Sequence, residues 1–139
     1  MGMKPVDQFI AMGENTVMES LLAVELQSTA TRTSGKQSNP RYRGILLIVT
    51  IANEAGTCSF QPKINAYDAA GNAIVLATFT ALTANGTYLL EFYPAVLTGF
   101  AGSESKVGQL PREWSVSLVY SGTPANDKMD TTVDYCYLV

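Results

Sequence analysis

Leu110-Pro111-Arg112-Glu113-Trp114-Ser115-Val116-Ser117-Leu118-Val119-Tyr120 is the stretch that decides the fold class. Trp114, Val116, Leu118 and Tyr120 fall on one side of an extended chain, and Glu113, Ser115 and Ser117 fall on the other. That two-residue period belongs to a strand with one face in a core and one face in water. Trp114 stands amid the apolar face beside Val116 and Leu118, so it is expected to anchor the core and not to serve as a ligand platform.

The flanking segments follow the same rule. Ser121 to Lys128 is polar, with Gly122 and Pro124, and Met129 to Val139 reads as a last strand. On the other side, Pro94 to Gln109 is rich in Gly, Ala and Ser, and at about sixteen residues it has the length of a functional or disordered loop. Thr87 to Tyr93 is expected to pair back on Ala73 to Leu82 through Asn85-Gly86, because both residues tolerate the positive φ of a type I′ hairpin. Asp68 to Asn72 reads as another hairpin loop. Thr57 to Tyr67 alternates, with Cys58, Phe60, Pro62, Ile64 and Ala66 facing in. Pro62 has no N–H to give a ladder, so its strand is expected at an edge or with a bulge. Asn53 to Gly56 is a turn. Gly44 to Ala52 contains the unbroken apolar run Ile45-Leu46-Leu47-Ile48-Val49-Thr50-Ile51, the pattern of a strand covered on both faces. One face would meet the core and the other a second surface, which predicts self-association, with a threefold cluster favoured. Ser28 to Pro40 is a polar connection with turn signals at Ser34-Gly35 and Asn39-Pro40. Val17 to Leu26 alternates in its second half.

These segments predict an all-β, antiparallel sandwich, jelly-roll or Ig-like, of about seven or eight strands over residues 18–139. Residues 1–17 form a short arm outside that pattern. Val6, Phe9 and Ile10 would share one face of a helical turn or two ending at Gly13, too short to stand alone. With Met12, these apolar residues need cover, and they are expected to contact a partner; packing on the arm's own sandwich is the alternative.

Composition narrows the function. Hydrophobic residues make up 47% of the 139 and charged residues only 15%, the balance of a chain with a core. A net charge of −3 argues against a nucleic-acid binder, which needs a basic footprint. No apolar run reaches the roughly 20 residues of a membrane helix, and no signal-peptide core follows Lys4. The charge is uneven, however: Arg32, Lys36, Arg41 and Arg43 lie in a stretch without an acid between Glu25 and Glu54. This is either a solvated loop or a patch that docks on an acidic protein surface.

The chemistry of catalysis is sparse. There is no histidine, so the commonest general base and metal ligand is missing, and Ser/His/Asp or Cys/His arrangements cannot form. No GxGxxG or phosphate-loop motif occurs. Glu91 with Glu113, or Asp130 with Asp134, could flank a sugar, and Asp127, Asp130 and Asp134 could approach a cation, but the spacing is not that of an EF-hand and solvated surface is the simpler reading. Cys58 and Cys136 belong to no CxxC unit and read as buried thiols, with a disulfide as the alternative. No enzyme activity, cofactor or metal is expected.

The sequence Leu110-Pro111-Arg112-x-Trp114-x-Val116-x-Leu118, after a Gly/Ala/Ser-rich loop and before a final strand, resembles a small β-protein encoded among the virion structural genes of tailed bacteriophages. Leu21-Leu22-Ala23, Ala30-Thr31-Arg32-Thr33 and Tyr42 to Thr50 extend the resemblance over roughly residues 18 to 139. It implies a capsid decoration or auxiliary head protein that binds the assembled shell, partnered by the major capsid protein or other virion proteins and located in the virion after assembly in the host cytoplasm. A head–tail connector or tail protein is the alternative within the virion. From another class, a carbohydrate-binding sandwich would use exposed Tyr42, Tyr67 and Tyr93.

Overall fold

Alternation is converted into strands wherever it is long enough to bury one face. The computed structural model describes residues 19–25, 31–95, 104–122 and 127–139. The strands are β1 (Glu19–Glu25), β2 (Arg32–Thr33), β3 (Gln37–Ser38), β4 (Gly44–Ala55), β5 (Ser59–Tyr67), β6 (Ala73–Thr78), β7 (Gly86–Tyr93), β8 (Glu104–Val107), β9 (Glu113–Ser121) and β10 (Lys128–Leu138). No helix occurs among the described residues. The predicted arm, and with it Val6, Phe9, Ile10 and Met12, lies outside them, as does half of the predicted loop from Pro94 to Gln109.

Two sheets form the sandwich. One has the order β1-β10-β4-β7-β8, the other β2-β9-β5-β6, with β3 also on β9. The antiparallel partners are nested: β1 with β10, β2 and β3 with β9, β4 with β7, and β5 with β6. Consecutive partners alternate between the sheets, so the chain is one long hairpin rolled up on itself. That is a jelly roll, and it decides between the two sandwich topologies that the sequence left open. The added strand β8 departs from the antiparallel expectation, because it runs parallel to β7, Leu90 to Tyr93 beside Glu104 to Val107.

The core lies between the sheets. Ile45, Leu47, Val49 and Ile51 of β4 are buried in register with Leu90 and Phe92 of β7 and with Val133 and Tyr135 of β10. Opposite stand Phe60 and Ile64 of β5 and Trp114, Val116, Leu118 and Tyr120 of β9. Trp114 is wholly buried, as expected, with the rings of Tyr135 and Tyr137 edge-on at 5.3 and 6.0 Å. Each such side chain contributes about 1.5–3 kcal/mol on leaving water.

Several local expectations change. The run Ile45 to Ile51 does not present an open second face: Leu46 is 2% exposed and Ile48 half-buried. The large apolar side chains that are exposed include Ile74, Val75 and Leu76 on β6. Pro62 is not on an edge strand, since β5 lies between β9 and β6. The missing donor is accommodated instead by an interrupted ladder: β6 pairs only from Lys63 onward, with an irregularity between Ile64 and Asn65, and pairing resumes at the Phe60–Leu82 bridge. Asn85-Gly86 makes no hairpin. The strands on either side of it belong to different sheets, and Asn85 Oδ1 accepts the Glu54 N–H at 2.9 Å. The polar connection before Pro40 contains β2 and β3, which are too short to show a period.

Candidate functional site

Asn39 organises the end of the sandwich that carries the basic stretch. Its side-chain N–H groups donate to the carbonyls of Tyr42 at 2.7 Å, Leu110 at 3.3 Å and Pro111 at 3.3 Å. Its Oδ1 accepts the Tyr42 N–H at 2.8 Å, and its own backbone N–H reaches the Arg112 carbonyl at 2.7 Å. The Leu110 N–H then donates to the Arg43 carbonyl at 2.9 Å, and the Arg43 N–H to the Leu138 carbonyl at 3.0 Å. One buried amide therefore ties the loop at 39–43 to Leu110-Pro111-Arg112. This gives the motif a physical reason: three successive residues supply carbonyls to Asn39. The sequence offered only a turn signal at Asn39-Pro40.

Arg32 and Lys36 lie along the β9 edge, and Arg41 and Arg43 follow in the loop that leads into β4. Arg32 pairs with Leu118, Gln37 with Trp114 and Ser38 with Glu113, so the stretch runs antiparallel to β9 and not into a single cluster. Lys36 Nζ lies 3.4 Å from Glu113 Oε2 and 4.6 Å above the Tyr67 ring. The Arg41 guanidinium lies 5.6 Å over Tyr42, and that of Arg43 lies 5.5 Å over Tyr93. Exposed contacts of this kind contribute about 1 kcal/mol or less each, so the side chains are oriented without being locked. Arg112, which the charge pattern alone did not single out, joins Ser38, Asn39, Pro40 and Glu113 around an open cleft of about 400 Å³. The cleft thus has one charge of each sign in its lining, Arg112 and Glu113, with Lys36 paired to the latter.

The predicted wet face of β9 is wet at Glu113 but not beyond it. Ser115 and Ser117 are buried in a side-chain network. Asn65 donates to both hydroxyls, at 3.1 and 2.9 Å, the Tyr67 hydroxyl donates to Ser115 at 2.8 Å, and Thr33 and Ser117 share a hydrogen bond of 2.9 Å. The network satisfies groups whose burial would otherwise cost a lost hydrogen bond each. Small hydroxyls at alternate positions gave no sign of this, because they read equally as solvated.

The other candidate groups do not converge. Glu91 is buried on the first sheet, accepting the Ser105 hydroxyl at 2.5 Å, while Glu113 is exposed on the second. Asp130 accepts from Asn53 at 2.8 Å. Among the described residues no group of three or more His, Cys, Asp or Glu could hold a metal ion. Cys58 and Cys136 are buried thiols not joined to each other, and burial raises the Cys136 pKa. The tyrosines do not form a flat platform. Tyr42 stacks on Tyr137 at 4.8 Å, Lys36 caps Tyr67, and Arg43 covers Tyr93, whose hydroxyl donates to the Val139 carbonyl.

The strand order defines an all-β jelly-roll protein. No family model matches the chain, and no curated protein matches it. Among solved structures, the crystal structure of SPBc2 prophage-derived protein YomS aligns over 90% of this chain and 97% of its own, at 14% identity and a TM-score of 0.42. A likeness that slight carries no argument about function.

Proposed function

We propose that the protein is a bacteriophage virion structural protein, a capsid decoration or auxiliary head protein that binds the assembled shell and stabilises it. The observation that carries this reading is the segment Leu110 to Tyr120. Of the residues on which the resemblance to phage virion proteins rests, Tyr42, Leu110, Pro111 and Arg112 take part in the Asn39 knot, while Trp114, Val116 and Leu118 lie in the core. A jelly roll is a common architecture of capsid domains, though the fold alone does not specify function.

The mechanism is mechanical. The rim of Arg32, Lys36, Arg41 and Arg43, extended by Arg112, meets acidic side chains of the major capsid protein or another virion protein, and the arm residues Val6, Phe9, Ile10 and Met12 add apolar contact. A protein that binds the assembled shell and not its dissociated subunits stabilises assembly by mass action. Many weak copies act together through multivalency, and self-association of the decoration adds to it. A head–tail connector or tail protein would use the same contacts at fewer sites.

Gel densitometry of purified particles tests this. A decoration protein is expected in hundreds of copies per particle, while a connector ring holds about six to twelve. Absence from purified particles would overturn the proposal. With shells in hand, charge reversal at Arg41 and Arg43 together is expected to reduce cosedimentation at least tenfold, and unchanged binding would remove the rim from the mechanism.

A further inference from the structure

Among the described residues the jelly roll leaves four sheet edges, and they are not treated alike. β1 contains Glu19 and Glu25, the β2–β3 edge has Arg32 with Lys36 between its two strands, and β8 contains Glu104 and Lys106. Charges on an edge oppose pairing with another chain. β6 has none: no charged residue occurs between Asp68 and Glu91. It pairs with β5 on one side and ends its sheet on the other. Ile74, Val75 and Leu76 are 50%, 52% and 42% exposed in succession. The register shift opposite Ile64 and Asn65 explains the succession, since it leaves Leu76 without a partner on β5 and breaks the alternation.

We propose that β6 is a self-association strand that pairs antiparallel with β6 of a second copy across a twofold axis. Charge selects this occupant and this orientation. β6 is flanked by Asp68 at the hairpin end; at the other lie Lys63, paired with Thr78, and Glu104, whose carboxylate accepts the Thr80 N–H at 2.9 Å and stands 3.5 Å from Lys106, so that end is net positive. Antiparallel pairing sets the Asp68 end of each copy beside the Lys63 end of its partner. Parallel pairing would place like charges together. The pairing is isologous, so it uses both open edges at once and closes at two copies. A threefold ring would instead require β6 to meet a different edge of the next copy, and the other three carry charge. Six residues per copy form a small interface, so the dimer is expected to be weak, with a dissociation constant on the order of 10 µM. The inference stands on the edge itself and not on the virion reading, and its test needs no particle.

Sedimentation velocity of the full chain from about 1 to 500 µM reads the association directly. The expected result is a concentration-dependent monomer–dimer equilibrium. Val75→Lys, at an exposed position, is expected to raise the midpoint concentration at least tenfold with unchanged circular dichroism. Val75→Thr, which keeps the β-branched shape without a charge, is expected to stay within about threefold of the parent. Oxidation of Val75→Cys should give a reducible covalent dimer, and oxidation of Gln109→Cys, exposed away from β6, should not. A monomer throughout the range, a trimer, or a Val75→Lys variant that dimerises like the parent would overturn the proposal. Should Val75→Lys alter the fold, the cysteine pair decides by itself.

Discussion

Asn39 shows how much one amide can hold. It satisfies carbonyls from Tyr42, Leu110 and Pro111 with a single side-chain nitrogen, and the backbone of Tyr42 with its oxygen. Removing such a partner leaves buried acceptors unsatisfied, at about 1–3 kcal/mol. Asn39→Ala is therefore expected to lower the urea-unfolding free energy by about that amount. Asn39→Asp should be worse at pH 7, because a carboxylate would face carbonyl oxygens that need a donor. A destabilisation by aspartate smaller than that by alanine would mean that the amide acts only as a spacer. The chain reveals this residue poorly. Trp114 was legible because its burial follows from alternation within its own strand. Asn39 was not, since its acceptors at Leu110 and Pro111 are about seventy residues away and no local pattern links them.

Among the elements, the Asp68 to Asn72 turn joining β5 and β6 is the one whose sequence and structure agree most closely. Asp68 Oδ1 accepts the N–H groups of Ala70 at 2.9 Å and Asn72 at 2.8 Å, and Gly71 takes a φ of 89° that suits glycine. The Asn72 backbone and side chain, ahead of the other contacts, lower the Asp68 pKa below 3.8. A carboxyl whose pKa falls on folding stabilises the native state above its unfolded value, and that contribution is lost as pH drops through the lower, folded value. The melting temperature of Asp68→Asn is thus expected to fall less between pH 5 and pH 3 than that of the parent protein, and equal losses would detach Asp68 from the acid response. Turns of this kind are legible because their hydrogen bonds are local. The turn at Asn85-Gly86 was misassigned for the complementary reason: Asn-Gly reports the backbone angles of two residues, not whether the next strand stays in the same sheet. β2, β3 and β8 were missed because runs of two to four residues are too short to show a period. β6 reads as apolar whether it is covered or bare, so its exposure had to come from the structure.

At the scale of the whole molecule, the two cysteines test whether the rolled hairpin opens as one unit. Cys58 lies just before β5 in the core between the sheets, and Cys136 lies on β10 beside Leu46, on the opposite face of its sheet from the core. Both are buried, and burial raises the Cys136 pKa, which lowers the fraction of reactive thiolate. Trp114, on the other sheet, touches Tyr135 and Tyr137 on either side of Cys136 in the chain, so its fluorescence reports the same region from the core side. Because every main rung of the jelly roll except the β5–β6 hairpin joins residues distant in sequence, none of those rungs is expected to survive loss of the others. Both thiols should resist an aromatic disulfide reagent in native buffer and become reactive across urea in the same transition that changes Trp114 fluorescence. Reaction of Cys136 well ahead of the fluorescence change would show that the outer face of β10 and β4 opens by itself. The second surface expected of the Ile45 to Ile51 run would then be a local opening, and β10 would join β6 as a candidate for contact with other chains.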